Sequence, residues 1–141
     1  MNTDRKIVIV VRKTRLQELK EKYCTLGQAK FYLEHLGESF EVYQDEHERL
    51  ERVLNQLQSD MMKEGRVQML ERSYLPSYKF AQDDIVLVLG QDGLVANAMK
   101  YLSGQPIVAI NPLPDVFDGV LLPFQPIEAN DVVKLVLNAS M

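Results

Sequence analysis

The sequence contains few of the residues from which disulfides and metal sites are built. It has one cysteine, Cys24, and two histidines, His35 and His47, in 141 residues. A single cysteine excludes an internal disulfide, and the separation of the histidines does not match the spacing of zinc ligands. No apolar run approaches the ~20 residues that a membrane-spanning helix requires. We therefore expect no metal site built from protein ligands and no membrane partner.

Basic residues are also too few to dominate the surface. The chain has 16 Lys and Arg against 20 Asp and Glu, a formal net charge of −4. Nucleic-acid binding needs Lys and Arg clustered over a large face, so we expect no nucleic-acid partner and only a local phosphate site. Residues 1–6 lead directly into an apolar run that is too short for a signal-peptide core, which predicts a cytoplasmic location.

The sequence does contain an alternation of apolar strands and amphipathic helices. Strands are predicted at residues 6–11, at 66–75 as an irregular strand centred on 67–70, at 85–89 and at 107–110. Helices are predicted after Thr14, after Thr25, at 40–61, from Gly93 to about Leu102, and at 128–137. Strands that are apolar throughout are typical of a parallel sheet buried on both faces. The predicted fold class is α/β, a Rossmann-like parallel sheet with helices on both faces.

The loop Gly90-Gln91-Asp92-Gly93, directly after the 85–89 strand, is the strongest candidate for chemistry. In open α/β sheets, ligands bind beyond the carboxyl ends of the strands. Glycines let backbone N–H groups approach a phosphate, and the start of the following helix favours an anion. A carboxylate there would repel phosphates unless it orients a magnesium ion or accepts a proton from an attacking hydroxyl. A turn in which Asp92 only caps the helix is equally compatible with the motif.

Residues 87–93, Leu-Val-Leu-Gly-Gln-Asp-Gly, resemble the strand and G-G-D-G-T loop shared by NAD kinases and the diacylglycerol-kinase relatives. Residues 105–114 resemble the strand and N-x-D-P loop of NAD kinases, and residues 118–123 resemble the segment that follows in the mitochondrial-type subgroup. Residues 8–23 and 50–66 are similar to that subgroup's opening strand and long helix. The likeness spans nearly the whole chain.

The resemblance implies an N-terminal domain of the NAD kinase and diacylglycerol kinase type. Residues 1–127 would form the nucleotide-binding α/β domain, and residues 128–141 a helix that leads toward a second domain absent from this chain. The implied activity is phosphorylation of the adenosine ribose 2′-hydroxyl of NAD to give NADP, with ATP and Mg²⁺. Since the family's asparagine and glutamate that grip NAD lie in that second domain, we expect this half alone to form no NADP.

The resemblance also implies roles for individual residues. Asp92 matches the base that activates the ribose hydroxyl, and Asn111 matches the asparagine that lines the nucleotide pocket. Gly90 and Gly93 match glycines whose backbone contacts phosphates, with Gln91 between them. Phe124 falls where many members place an aromatic side chain near the NAD adenine.

Arg12 is a further phosphate-binding candidate, because it follows the first strand and should reach the same sheet edge as Gly90. A solvated basic residue at a helix start is an equal alternative. Two residues depart from the family pattern: Gln91 replaces the second glycine and Leu94 replaces the threonine. The loop therefore keeps its aspartate but loses backbone freedom and one hydroxyl donor.

Two other functions remain open. The G-x-D-G loop does not determine which hydroxyl accepts the phosphoryl group, so a lipid or sugar kinase of the same superfamily is one alternative. The Asn111-Pro112 pair and the segment 118–123 favour NAD kinase over a lipid kinase. A non-catalytic nucleotide-binding or assembly module is the other.

The expected partners are nucleotides and either a second copy of the chain or the missing C-terminal domain. The apolar stripe of the 40–61 helix is expected to pack on the sheet rather than form a dimer seam. The last helix carries Val132, Val133, Leu135 and Val136, and we expect its apolar face to be left exposed for such a partner.

Overall fold

The structure is a computed structural model that describes residues 5–139. Its strands and α-helices are β1 (Lys6–Val11), α1 (Arg15–Tyr23), α2 (Leu26–His35), α3 (Phe40–Met62), β2 (Arg66–Glu71), β3 (Ile85–Leu89), α4 (Asp92–Met99), β4 (Ile107–Ile110) and α5 (Ala129–Ala139). Short 3₁₀ helices lie at Arg72–Ser77 and Pro126–Glu128. The chain divides into two compact units, one formed by Lys13–Arg52 and the other by the described residues on either side of it.

The four strands form one parallel sheet in the order β2-β1-β3-β4. Ile7 of β1 is paired with Val67 of β2 and with Ile85 of β3, so the three strands start level with one another. The predicted α/β fold with a parallel sheet is confirmed, and each predicted strand overlaps an observed one. Because the strands are parallel, their carboxyl ends share one edge, where the loops after β1, β3 and β4 begin.

Helices cover both faces of this sheet because successive strand residues point to opposite sides. On one face, Ile7 and Ile9 pack with Leu57 and Met61 of α3 and with Val133 of α5. The second half of α3 therefore packs on the sheet, as its apolar stripe predicts.

On the other face of the sheet, Val8 and Val10 pack with Leu94, Val95 and Ala98 of α4. Full burial of each large aliphatic side chain stabilises the fold by about 1.5–3 kcal/mol. The site loops therefore start from a sheet that is packed on both faces.

Three expectations for chain segments are wrong. Residues 72–75 do not continue β2 but form the 3₁₀ helix, which the Glu71 carboxylate caps by accepting from the Ser73 amide at 2.6 Å. Pro76 lies within this 3₁₀ helix. Helix α4 ends at Met99, and the chain reaches Leu102 in a turn.

The third error concerns α5, whose apolar face is not left exposed. Val133 is fully buried, Val132 and Val136 pack against the same core, and Leu135 remains 68% exposed. The sheet of this chain thus supplies the cover that we expected from a partner.

The unit formed by Lys13–Arg52 begins with two capped helices. Thr14 accepts from the Gln17 amide at 3.1 Å and Thr25 accepts from the Gln28 amide at 3.1 Å, which confirms both predicted helix starts. Within residues 5–139, none of the helices has both the length and the apolar character needed to cross a membrane.

Candidate functional site

The carboxyl edge of the sheet carries the predicted site loop. Gly90 follows β3 directly, is buried, and has a φ of +146°, a conformation that side chains disfavour. Its amide donates to the Ile110 carbonyl at 3.2 Å, which ties the loop to the end of β4. The glycine is therefore required where the chain turns from strand into helix.

Asp92 is the first residue of α4, and Gln91 occupies the N-cap position. The alternative in which Asp92 caps the helix is therefore wrong in its detail. The Asp92 carboxylate instead accepts two backbone hydrogen bonds from a distant segment. Oδ2 accepts from the Val120 amide at 3.1 Å, and Oδ1 accepts from the Leu121 amide at 2.8 Å. A negative charge in the first helical turn is also stabilised by the helix dipole.

Asn111, directly after β4, is buried and fixes the same segment from the other side. Its Nδ2 donates to the Phe117 carbonyl at 2.9 Å, and its Oδ1 accepts from the Leu113 amide at 3.2 Å. Gly119 has a φ of +66°, and a Cβ at this position would lie 2.5 Å from Asn111 Nδ2. Only glycine therefore fits here without a shift of the asparagine.

Residues 113–122, which we call the 113–122 segment, are anchored at both ends by buried leucines, Leu113 and Leu122. Between these anchors, Val120 is 85% exposed and Leu121 is 46% exposed. The segment is thus held by two core side chains and by hydrogen bonds to Asp92 and Asn111. The sequence identified Asp92 and Asn111 as site residues. It did not identify the backbone groups of this segment to which their side chains are hydrogen-bonded. The Asp118-Gly119 pair was the available signal, since it marks a turn.

Arg12 lies at the same sheet edge, as predicted from its position after β1. Its Nη1 donates to Gln91 Oε1 at 3.4 Å, so a positive charge stands beside the G-x-D-G loop. Phe124 is half-buried and packs against the core on the α3 and α5 face. Its carbonyl accepts from the Asn111 amide at 2.7 Å. The structure therefore brings Arg12, Gln91, Asp92 and Asn111 to one edge, with Phe124 beside Asn111.

A cavity of about 480 Å³ opens near the ends of β1 and β2. Its volume lies in the range of about 300–1,000 Å³ that is usual for small-molecule sites. It is lined by Val11, Gln68, Met69, Leu70, Glu71, Tyr74, Ser77 and Tyr78. The sequence did not predict this cavity, part of whose wall is the 3₁₀ helix that follows β2. Val11 immediately precedes Arg12, so the cavity adjoins the strand end that carries the candidate arginine.

A second group of polar side chains lies within the Lys13–Arg52 unit. Thr14 Oγ1 lies 2.8 Å from His47 Nδ1, and His47 Nε2 lies 3.2 Å from a carboxylate oxygen of Glu51. Because Thr14 also caps α1, this chain of contacts joins the start of α1 to α3. His47 therefore has a polar role in holding two helices together.

Arg15 and Tyr43 belong to the same group. Arg15 donates to both carboxylate oxygens of buried Glu46, at 3.3 and 2.6 Å, and this hydrogen bonding raises the pKa of Arg15. The Tyr43 hydroxyl donates to Glu38 at 2.7 Å, which raises the pKa of Tyr43. These groups satisfy one another and stabilise the unit.

Comparison of this chain with known protein families, with curated proteins and with solved structures found no match. Function must therefore be inferred from the residues at the carboxyl edge.

Proposed function

We propose that this chain is the nucleotide-binding α/β part of a phosphotransferase similar to NAD kinases, with the N-terminal domain type of NAD kinases and diacylglycerol kinases. The reaction would transfer the terminal phosphoryl group of ATP to the adenosine ribose 2′-hydroxyl of NAD. The observation that carries the proposal is the position of the G-x-D-G loop at the carboxyl edge of the sheet, where α/β proteins bind ligands.

Phosphate binding is assigned to the loop and to Arg12. The backbone at Gly90 and Gly93 would approach the phosphates, and the Arg12 guanidinium beside Gln91 would offset their charge. Phosphoryl transfer relies mainly on such positioning and charge stabilisation. Arg12 therefore belongs to the proposed site as a phosphate-binding residue.

Asp92 is assigned the role of general base. Its carboxylate lies at the start of α4, next to the proposed phosphate site, where it would accept the proton of the attacking ribose hydroxyl. Asn111 and Phe124 would border the nucleotide from the β4 side. The metal enters with the substrate: within residues 5–139 no three His, Cys, Asp or Glu side chains are grouped to hold an ion, and magnesium commonly arrives on nucleotide phosphates.

A non-catalytic nucleotide-binding module is the second candidate, favoured by Leu94. This residue stands where the family has threonine, so the loop has no hydroxyl at that position to donate to a phosphate. Its side chain is buried in the core. The two backbone bonds to Asp92 favour the same alternative because they give the carboxylate a structural role.

Nucleotide binding can be tested by ¹⁵N NMR on this chain. Titration with MgATP and separately with NAD should shift the amide resonances of Gly90, Gln91 and Gly93, with smaller changes at Val11 and Arg12. Arg12→Gln should weaken binding of MgATP by about tenfold, since one charged contact to phosphate is lost. Arg72→Gln, which removes an exposed charge elsewhere, is the matched control. Absence of shifts at the loop with both nucleotides would overturn the proposal.

The two candidates differ in turnover, which is measured as NADP formation from NAD and MgATP by the natural protein. Asp92→Asn should lower kcat by ~10²–10⁴-fold, the usual contribution of a general base. Diacylglycerol and a simple sugar serve as alternative acceptors. Nucleotide binding without transfer to any acceptor would reject the kinase and favour the non-catalytic module.

A further inference from the structure

The amides of Val120 and Leu121 form a small concave pair directed at one anion. Both N–H groups point at the Asp92 carboxylate, with N–O distances of 3.1 and 2.8 Å. They follow Gly119, whose φ is +66°, and the turn is closed by the Leu122 amide, which donates to the Gly119 carbonyl at 3.0 Å. Successive backbone N–H groups beside a left-handed residue are a common binding site for phosphate oxygens.

The residues that carry this amide pair lie at the surface. Val120 is 85% exposed, Leu121 is 46% exposed, and Asp92 is only half-buried. The carboxylate therefore holds the pair by two hydrogen bonds at the surface, where another anion can compete for the same donors. Gln91, the residue before Asp92, contacts the Arg12 guanidinium, so a cation stands beside the loop that carries Asp92.

We propose that the Val120 and Leu121 amides are a phosphate subsite that Asp92 occupies in the absence of ligand. A phosphate group of the bound nucleotide takes the two amides and displaces the carboxylate. This inference rests on the proposed function in one respect, that the natural ligand is a nucleotide. It adds a binding site that the G-x-D-G motif does not contain.

The exchange has a consequence for the base. A carboxylate that accepts two N–H bonds has fewer lone pairs with which to accept a proton, and a phosphate beside it is repelled by its charge. Displacement frees the lone pairs, because the phosphate takes the two donors, and charge repulsion then turns the carboxylate away from the phosphate and toward the reacting hydroxyl. Asp92 thus competes with the ligand before binding, and this competition weakens the apparent affinity for phosphate.

Inorganic pyrophosphate is the probe that tests the subsite without a nucleotide. In ¹⁵N NMR titrations of the whole chain, it should shift the Val120 and Leu121 amide resonances. Asp92→Ala empties the pair, so the same shifts should appear at about tenfold lower pyrophosphate concentration, because one competing charged acceptor has been removed. Asp92→Asn, which keeps one acceptor oxygen, should give an intermediate change and serves if the alanine variant does not fold.

Asp118→Ala is the matched control, since it removes one negative charge from an exposed position in the same segment. Its gain in affinity should be about twofold at most, because exposed charges are screened by salt. Equal gains in the Asp92→Ala and Asp118→Ala variants would mean that only charge matters and would overturn the subsite. Failure of the Val120 and Leu121 resonances to move in all variants would overturn it as well.

The same titrations separate failure of the subsite from failure of the proposed function. Pyrophosphate binding at the amide pair, with no binding of MgATP or NAD, would reject the nucleotide function and leave an anion site. Nucleotide shifts at Gly90 and Gly93 without any at Val120 and Leu121 would reject the subsite and leave the proposed function.

Discussion

Two aspartates flank strand β3 and are held in different ways. Asp84, directly before the strand, is 1% exposed, accepts from the Ala81 amide at 2.8 Å and pairs with Lys6 Nζ at 3.6 Å. Asp92, after the strand, is half-buried and accepts from the amides of Val120 and Leu121. The Asp84 carboxylate is enclosed by the protein, whereas the Asp92 carboxylate is partly open to solvent. The same residue type is therefore structural at the amino edge of this sheet, and at the carboxyl edge it lies where we propose that it meets a ligand.

The largest expected effect is at Asp84. Asp84→Ala should lower the free energy of unfolding by about 3 kcal/mol, because it leaves the Ala81 amide and the Lys6 ammonium without their buried acceptor. Urea denaturation monitored by circular dichroism measures the change. Asp83→Ala is the control, since its side chain is exposed and its loss should cost less than about 0.5 kcal/mol. Similar losses in both variants would show that Asp84 is not a buried anchor.

The strands could be predicted because continuous apolar runs such as 85–89 have few places in a soluble protein other than a buried sheet. The site edge followed from the same reasoning, since parallel strands bring Arg12, Gly90 and Asn111 to one side. The backbone donors of Val120 and Leu121 could not be predicted. Every residue except proline has an amide hydrogen, so the residue type does not indicate which amide binds a carboxylate. The prediction of strand for residues 72–75 was wrong for a related reason. The Glu71 carboxylate binds the Ser73 amide and starts a 3₁₀ helix in place of further strand pairing, and the apolar residues of this stretch do not indicate such a cap.

A smaller effect is expected at Gly119, which shapes the carboxyl-edge segment. Gly119→Ala should cost about 2 kcal/mol, because the residue has a φ of +66° and its Cβ would lie 2.5 Å from Asn111 Nδ2. Hydrogen exchange at Val120 and Leu121 should become faster as the segment loosens.

Gly93→Ala is the matched control for that substitution. A Cβ at Gly93 meets nothing within 4 Å, and alanine favours the helix by about 0.5–1 kcal/mol relative to glycine. This variant should therefore be slightly more stable than the parent. If Gly119→Ala is equally well tolerated, the 113–122 segment is not fixed by its packing against Asn111.

The smallest effect on stability is expected at Asp92. Its size decides whether Asp92 is a structural anchor like Asp84 or a carboxylate that a ligand can displace. Asp92→Asn keeps one acceptor oxygen for the Val120 or Leu121 amide, so the free energy of unfolding should fall by about 1 kcal/mol, roughly the net value of one hydrogen bond. Urea denaturation measures this loss, with the exposed Asp118→Asn as control. A loss as large as that of Asp84→Ala would make Asp92 a structural anchor whose carboxylate cannot leave the amides. A small loss of stability would mean that the hydrogen bonds between Asp92 and the two amides are weak. A phosphate could then displace the carboxylate, as ligand exchange at this edge requires.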